Sequence, residues 1–121
     1  MRKDLNMRKG KMVAQGSHAS MAFLTRQGLF DSQGFKNDNL LNESEAEEWM
    51  EKGFTKICVS VDSEYELMEI YNQAKQNGLC AELIIDSGFT EFNGVPTKTC
   101  IAIGPNKAED IDKITGHLKL L

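Results

Sequence analysis

Three polar side chains near the start of the chain have types and spacing that suit acid–base chemistry. Lys11, Gln15 and His18 stand four and three residues apart within "RKGKMVAQGSHASMAF", residues 8–23. At the rotation per residue of an α-helix they fall within about 60° of one another, so one helix face presents all three. Lysine holds an anion or stabilises an oxyanion, and imidazole exchanges protons near neutral pH. From the residues alone, a surface or packing histidine remains the alternative.

A carboxylate far along the chain is the next candidate. Asp86 ends the apolar run 79–86 and directly precedes Ser87-Gly88. Ligands of open α/β sheets gather at the carboxyl ends of strands, where this carboxylate would orient an imidazole or position a water molecule. A turn-forming aspartate explains the same sequence equally well. Thr90 and Thr99 bracket the turn-rich stretch that follows and would bring hydroxyls to the same edge.

The elements that must position these residues alternate between helices and strands. We expect one domain over residues 1–121, of the α/β class, with three layers: a small mixed sheet and helices on both of its faces. Residues 29–42 are predicted to form a loop, and residues 54–86 a right-handed parallel crossover. The pattern of apolar and breaker residues predicts helices at 10–27, 43–52, 63–78 and within 108–121, and strands at 54–61, 79–86 and 99–104.

Composition excludes several classes of protein. Of the 121 residues, 40% are hydrophobic and 26% are charged, which is typical of a globular domain. No apolar stretch approaches the roughly eighteen residues of a membrane span, and the N-terminus lacks a secretory signal. The three cysteines have no metal-ligand spacing and lie in apolar runs, which predicts buried thiols. We therefore expect a cytoplasmic protein without a membrane span, a bound metal or a cofactor.

Charge is separated along the chain. The net charge is −4, which argues against non-specific coating of nucleic acid. Residues 1–11 nevertheless carry a single acidic residue, Asp4, and residues 43–51 carry only acidic charge. A basic patch at the front would attract a phosphate-bearing ligand, and a solvated N-terminal arm is the alternative. The basic residues of this patch are Arg2, Lys3, Arg8, Lys9 and Lys11.

Four segments, in order, resemble the peptidyl-tRNA hydrolases of the archaeal and eukaryotic type. Arg2 and the "KDLNMRKGKMVAQGSHA" that follows, residues 3–19, are similar to the R-x-D-L-x-M-x-x-G-K and A-x-Q-x-S-H-A segments of that family. "DSGFT" at 86–90 is similar to D-A-G-x-T, and residues 99–105 to T-x-x-x-I-G-P. The ending "IDKITGHLKLL", 111–121, resembles I-D-x-V-T-G-x-L-K-L. The resemblance covers nearly the whole chain.

The resemblance implies a compact domain with a mixed, mainly four-stranded sheet, usually dimeric. It implies cleavage of the ester that joins a peptide to the 3′ end of tRNA, without a metal, so the partners would be peptidyl-tRNA and a second copy of the chain. A non-catalytic tRNA- or protein-binding relative and a different ester or amide hydrolase remain alternatives. The residues implied are Lys11, His18 and Asp86 for catalysis, Gln15, Thr90 and Thr99 for the same polar site, and Arg2, Arg8 and Lys9 for tRNA phosphates.

The chain also departs from the family pattern. Phe89 stands where the family usually has arginine, and Glu91 weakens the positive field beside it. The family's R-x-D-L segment closes an apolar strand, of which only Met1 precedes Arg2 here. We therefore expect the first strand to be truncated or nearly absent, and Met1 to be an internal methionine of a longer reading frame or a late start.

Overall fold

Helices and short strands alternate in the computed structural model, which describes residues 1–25, 30–31, 34–35 and 43–121. Within these residues there are four helices and six strands. The helices are α1 (Lys9–Thr25), α2 (Glu43–Glu51), α3 (Glu64–Gln76) and α4 (Ala108–Thr115). The strands are β1 (Phe30–Asp31), β2 (Gly34–Phe35), β3 (Val59–Ser60), β4 (Ala81–Asp86), β5 (Thr97–Ile103) and β6 (Lys119–Leu120). The α/β class is confirmed.

The predicted helices are found close to their expected bounds, because their end signals are local. Ser63 caps α3: its side chain accepts a hydrogen bond from the Glu66 N–H at 3.1 Å, as an N-cap residue does. Residues 26 and 27, the predicted end of the first helix, lie outside the described residues. In the described part of the chain, no helix combines the length and apolar character that a membrane span requires.

Two predicted regions differ from the structure. The predicted strand 54–61 is reduced to β3, because the chain folds back over α2: Gly53 and Phe54 adopt positive φ angles of 90° and 40°, and the Trp49 indole donates to the Thr55 carbonyl. The predicted loop 29–42 contains β1 and β2, which pair antiparallel, and its remaining residues lie outside the described part.

The strands pair as three antiparallel two-stranded sheets, β1–β2, β3–β6 and β4–β5. The predicted parallel crossover has no direct pairing of β3 with β4. The N-terminal residues lie between two of these sheets: the Arg2 N–H donates to the Thr99 carbonyl at 3.0 Å, and Arg2 forms a parallel bridge with Val61. The short first strand is thus a single bridge flanked by main-chain hydrogen bonds from Met1 and Lys3.

Two clusters of buried side chains include residues of the β4–β5 pair. In one cluster α1 packs Ala19 and Ala22 against Ile84 and Cys100. In the other, residues of α3 and α4 pack with neighbouring and strand residues. Its buried members are Ile70, Ala74, Leu79, Ala81 and Ile114. The pairing places the carboxyl end of β4 beside α1, where Asp86 lies.

The cysteine prediction is correct for two of the three residues. Cys80 and Cys100 are buried, whereas Cys58 is exposed because it lies outside the strand that was expected to bury it. All three are in the described part of the chain, and none of them forms a disulfide.

Candidate active site

Asp86 ends β4 and receives hydrogen bonds on both carboxylate oxygens. Its Oδ2 accepts from the Lys11 ammonium at 2.6 Å and from the Gln15 side-chain amide at 2.9 Å. Its Oδ1 accepts from the Gly88 N–H at 2.8 Å. One oxygen of Asp86 thus makes the contact of a turn-forming aspartate, and the other forms an ion pair with Lys11. The pair is poorly exposed, with 13% of the Lys11 side chain and 11% of the Asp86 side chain accessible.

These donors keep Asp86 ionised. The hydrogen bond from Lys11 holds the pKa of Asp86 below its usual range, and the Gly88 N–H and Gln15 amide act in the same direction against the effect of burial. A carboxylate with so many donors is a weak proton acceptor, since protonation would break these contacts. Asp86 is suited to fix the position of Lys11 rather than to carry a proton.

The Lys11 ammonium also contacts the loop that follows β4. Its Nζ donates to the Thr90 hydroxyl oxygen at 2.9 Å and lies 5.7 Å from the centre of the Phe92 ring. An ammonium has three N–H donors, and Asp86 and Thr90 use two of them, which leaves the third for an incoming group. Because the Thr90 oxygen accepts from Lys11, its own O–H is also available to donate.

A hydrogen bond from Thr99 fixes the side chain of Gln15. Gln15 is 2% exposed and Thr99 is fully buried. The Thr99 hydroxyl donates to the Gln15 side-chain oxygen, and this fixes the amide so that its nitrogen faces Asp86. Thr99 thus contacts the polar site from its buried side: Thr99 orients Gln15, and Gln15 orients Asp86.

A β-bulge places the Thr99 hydroxyl on the α1 side of the sheet. The ladder pairs Ile84 with Cys100 and Ile85 with Lys98, so Thr99 is the extra residue of β5. Strict alternation would send Thr99 and Cys100 to opposite faces. With the bulge both contact Gln15, Thr99 at the side chain and Cys100 at the main-chain carbonyl.

His18 lies with Asp86 on the wall of one cavity. The cavity has a volume of about 370 Å³. Gln15, His18 and Asp86 form polar parts of its lining, and Ala22, Ile84 and Ile85 form apolar parts. His18 is exposed. The structure therefore brings Gln15, His18 and Asp86 together around one cavity with polar and apolar lining, and Lys11 joins them through its ion pair with Asp86.

Gly88 has no room for a side chain, unlike the other glycine of the same loop. Its φ is +84°, and a Cβ there would lie 2.2 Å from the Val95 carbonyl oxygen. Gly94, in the same loop, has a similar φ of +77° with open space around it. Alanine at either position would therefore be strained by the positive φ, but only alanine at position 88 would also overlap with another atom.

Gly88→Ala is expected to lower the free energy of unfolding by about 3 kcal/mol, and Gly94→Ala by about 1 kcal/mol, since both pay for a positive φ but only the first adds a clash. Chemical denaturation of the two variants measures this. Equal losses would show that the contact with Val95 relaxes freely, contrary to the expectation.

The three basic residues predicted to bind phosphates have different surroundings. Arg8 is 79% exposed at its side chain and forms an ion pair with Glu91 at 2.8 Å, and Lys9 is exposed. Arg2 is 8% exposed, and its guanidinium contacts Asp4 at 2.7 Å and Glu64 at 3.1 Å. The guanidinium of Arg2 is thus paired with two carboxylates of the fold, whereas Arg8 and Lys9 are exposed.

The sequence of the whole chain matches the model of one protein family. The family model described as "Peptidyl-tRNA hydrolase PTH2" matches residues 1–121. The chain belongs to this peptidyl-tRNA hydrolase family.

Relatives of the PTH2 family from different organisms align over the whole chain. A protein named "Peptidyl-tRNA hydrolase" of Methanocaldococcus jannaschii is 46% identical over 121 residues, which cover 100% of this chain and 95% of the relative. A protein of the same name from Methanothermobacter thermautotrophicus is 40% identical with the same coverage. "Probable peptidyl-tRNA hydrolase 2" of Drosophila melanogaster is 40% identical over all of this chain and 59% of its own length.

Among the residues that the structure describes, no group of three histidine, cysteine or acidic side chains is placed to hold a metal ion. The sequence analysis did not predict two groups that contact the site of this family member: the Gly88 N–H, which binds Asp86, and the Phe92 ring, which lies near Lys11. An Asp-x-Gly sequence is a usual signal for the first. Nothing in the sequence signals the second, because Phe92 meets Lys11 only through the fold of the loop.

Proposed function

We propose that this chain, a member of the peptidyl-tRNA hydrolase family, hydrolyses the ester bond between peptide and tRNA in peptidyl-tRNA and releases free tRNA. The observation that carries the proposal is the Lys11–Asp86 pair, with Thr90 beside it, at the edge of a cavity that also includes His18. These groups suit attack of water on an ester carbonyl, which needs a proton acceptor and donors for the developing oxyanion.

The proposed catalytic residues are Lys11, His18 and Asp86. His18 takes a proton from the attacking water as the water oxygen bonds to the ester carbon. The free N–H of Lys11 and the O–H of Thr90 donate to the oxyanion, while Asp86 holds the ammonium in place. When the bond to the ribose 3′ oxygen breaks, the proton on His18 passes to that oxygen, so the products are a peptide acid and tRNA.

Gln15 and Thr99 contribute to the proposed site by orienting Asp86, and no metal or cofactor has a step in this chemistry. We propose that the cavity beside Asp86 receives the peptidyl group, because Ala22, Ile84 and Ile85 give part of its lining an apolar surface.

A turnover assay tests the proposed function. N-acetyl-aminoacyl-tRNA is incubated with the protein, and release of free tRNA is followed at several salt concentrations. Turnover supports the proposal. Saturable tRNA binding without any ester cleavage would contradict it and select a non-catalytic relative.

We infer that Arg8 and Lys9 hold phosphates of the tRNA, so kcat/KM is expected to fall as salt rises. Replacing both by glutamine is expected to make the slope of log kcat/KM against log salt shallower by about one to two, since each neutralised phosphate contributes roughly 0.7 to 0.9. Lys113→Gln, a charge removed from α4, is the matched control and should leave the slope unchanged. An unchanged slope in the double variant would assign phosphate binding to other residues.

The finer architecture and assembly are part of the same proposal. We propose one domain over residues 1–121 with a mixed sheet between two helical layers. The hydrogen bonds that connect Thr99, Arg2 and Val61 support a continuous sheet.

We also propose a homodimer that works in the cytoplasm. The exposed apolar side chains of Ile57 and Leu120, beside and within the β3–β6 pair, support the homodimer.

A further inference from the structure

One aromatic side chain at the site has no role in the chemistry above. Phe89 is 86% exposed, although it lies between two residues that are fixed by the Lys11–Asp86 pair. On one side the Gly88 N–H donates to Asp86, and on the other the Thr90 hydroxyl accepts from Lys11.

The loop that carries Phe89 is closed on itself, so the ring is presented from a defined backbone. The carbonyl of Gly88 accepts from the N–H groups of Phe92 at 3.1 Å and Gly94 at 3.0 Å. The Glu91 carboxylate ties the loop to Arg8 at 2.8 Å. A ring held in water by a closed loop offers a flat apolar surface at little further cost in conformational entropy.

We propose that the Phe89 ring is a stacking surface for an unpaired base at the acceptor end of the tRNA. This inference rests on the proposed function and adds a binding subsite to it. Unpaired bases of RNA are commonly held by stacking on exposed aromatic side chains, and stacking tolerates any base because each has a π face.

The surroundings of Phe89 favour a nucleotide over the peptide. The guanidinium of Arg8 forms an ion pair with Glu91, which stands two residues after Phe89 in the same loop. Lys9 follows Arg8 in the sequence and is exposed. An aromatic ring beside cations is the combination that binds single-stranded nucleic acid. The cavity proposed for the peptidyl group is lined by Asp86 and Ser87, and Phe89 is not part of its wall. The ester would thus lie between a peptide side and a nucleotide side.

Three substitutions at position 89 test the proposal. Phe89→Ala and Phe89→Leu are expected to raise KM about tenfold with kcat unchanged, the loss typical of one stacked base. Phe89→Trp is expected to stay within about twofold of the wild type, because the larger ring also stacks. Leucine keeps much of the apolar area and loses the π face, so it separates stacking from general apolar contact. Tyr65→Leu, which removes a 71% exposed ring from α3, is the matched control and should leave KM unchanged.

The measurements use N-acetylalanyl-tRNA and N-acetylleucyl-tRNA as substrates, with binding of deacylated tRNA as a second readout. Equal increases for both substrates, together with weaker tRNA binding, support the stacking surface. Wild-type KM in Phe89→Leu, or an increase that depends on the acyl group, would overturn it. A wild-type protein without turnover contradicts the proposed function instead, and the tRNA-binding series then still tests Phe89.

Discussion

Asp86→Asn is expected to lower kcat about 100- to 1000-fold at neutral pH, the loss that follows removal of a key electrostatic contact in an active site. The asparagine side chain has nearly the same shape, so the change removes charge and not volume. Its amide offers one oxygen where the carboxylate offered two, and three donors now compete for it: the Lys11 ammonium, the Gln15 amide and the Gly88 N–H. Lys11 then loses the contact that aims its remaining donor at the ester.

Steady-state turnover of N-acetyl-aminoacyl-tRNA measures this loss, with circular dichroism to check the fold. Asp112→Asn is the matched control, since it neutralises an exposed carboxylate on α4 that lies outside the candidate site. We expect it to keep the wild-type kcat. A kcat for Asp86→Asn within a few-fold of the wild type would remove Asp86 from the proposed mechanism.

Lys11→Met is expected to lower kcat by a similar factor, about 100- to 1000-fold, because it removes an oxyanion donor and leaves Asp86 without its cation. Methionine retains a long, flexible and mostly apolar side chain, so packing against the Phe92 ring is largely kept. Lys113→Met on α4 is the control for loss of one lysine and should have no effect on kcat.

The same variant has a predicted pH signature. The hydrogen bond from Lys11 is the largest cause of the lowered pKa of Asp86, so the pKa of Asp86 rises when Lys11 is removed. The midpoint of an NMR titration of the Asp86 carboxyl carbon should therefore lie at a higher pH in Lys11→Met than in the wild type. Equal titration midpoints in the two proteins would contradict this coupling.

The helix-face part of the site was predictable from sequence because it depends on local geometry. The helical rotation alone aligns Gln15 and His18, and both line the cavity with Asp86. Lys11 reaches the same carboxylate. That Asp86 would meet this helix face was not a result of spacing. It followed from the expectation that strand ends collect ligands, and from the resemblance to a family.

The surroundings of Arg2 and Thr99 depend largely on contacts between segments that are distant in the sequence. Arg2 was counted with the basic patch, but its guanidinium pairs with Asp4 and Glu64 and donates to the Lys98 carbonyl. Thr99 was placed in the polar site by the resemblance to the family, and the alternation of a strand gives no sign of the bulge that turns its hydroxyl towards Gln15. Asp4 is close to Arg2 in the sequence, but the contacts with Glu64 and Lys98 and the register at Thr99 are set by the packed chain, and no short window of sequence contains them.

The extra residue at Thr99 has a consequence for how the gene can change length. Loss of one codon between those of Thr97 and Cys100 would restore plain alternation in β5 and remove the hydroxyl from Gln15. Natural selection should remove such deletions, even though the sheet itself would become more regular. Gain or loss of codons outside this strand pair leaves that register untouched, so length variation among descendants of this gene should accumulate there and spare the interval that contains the irregularity.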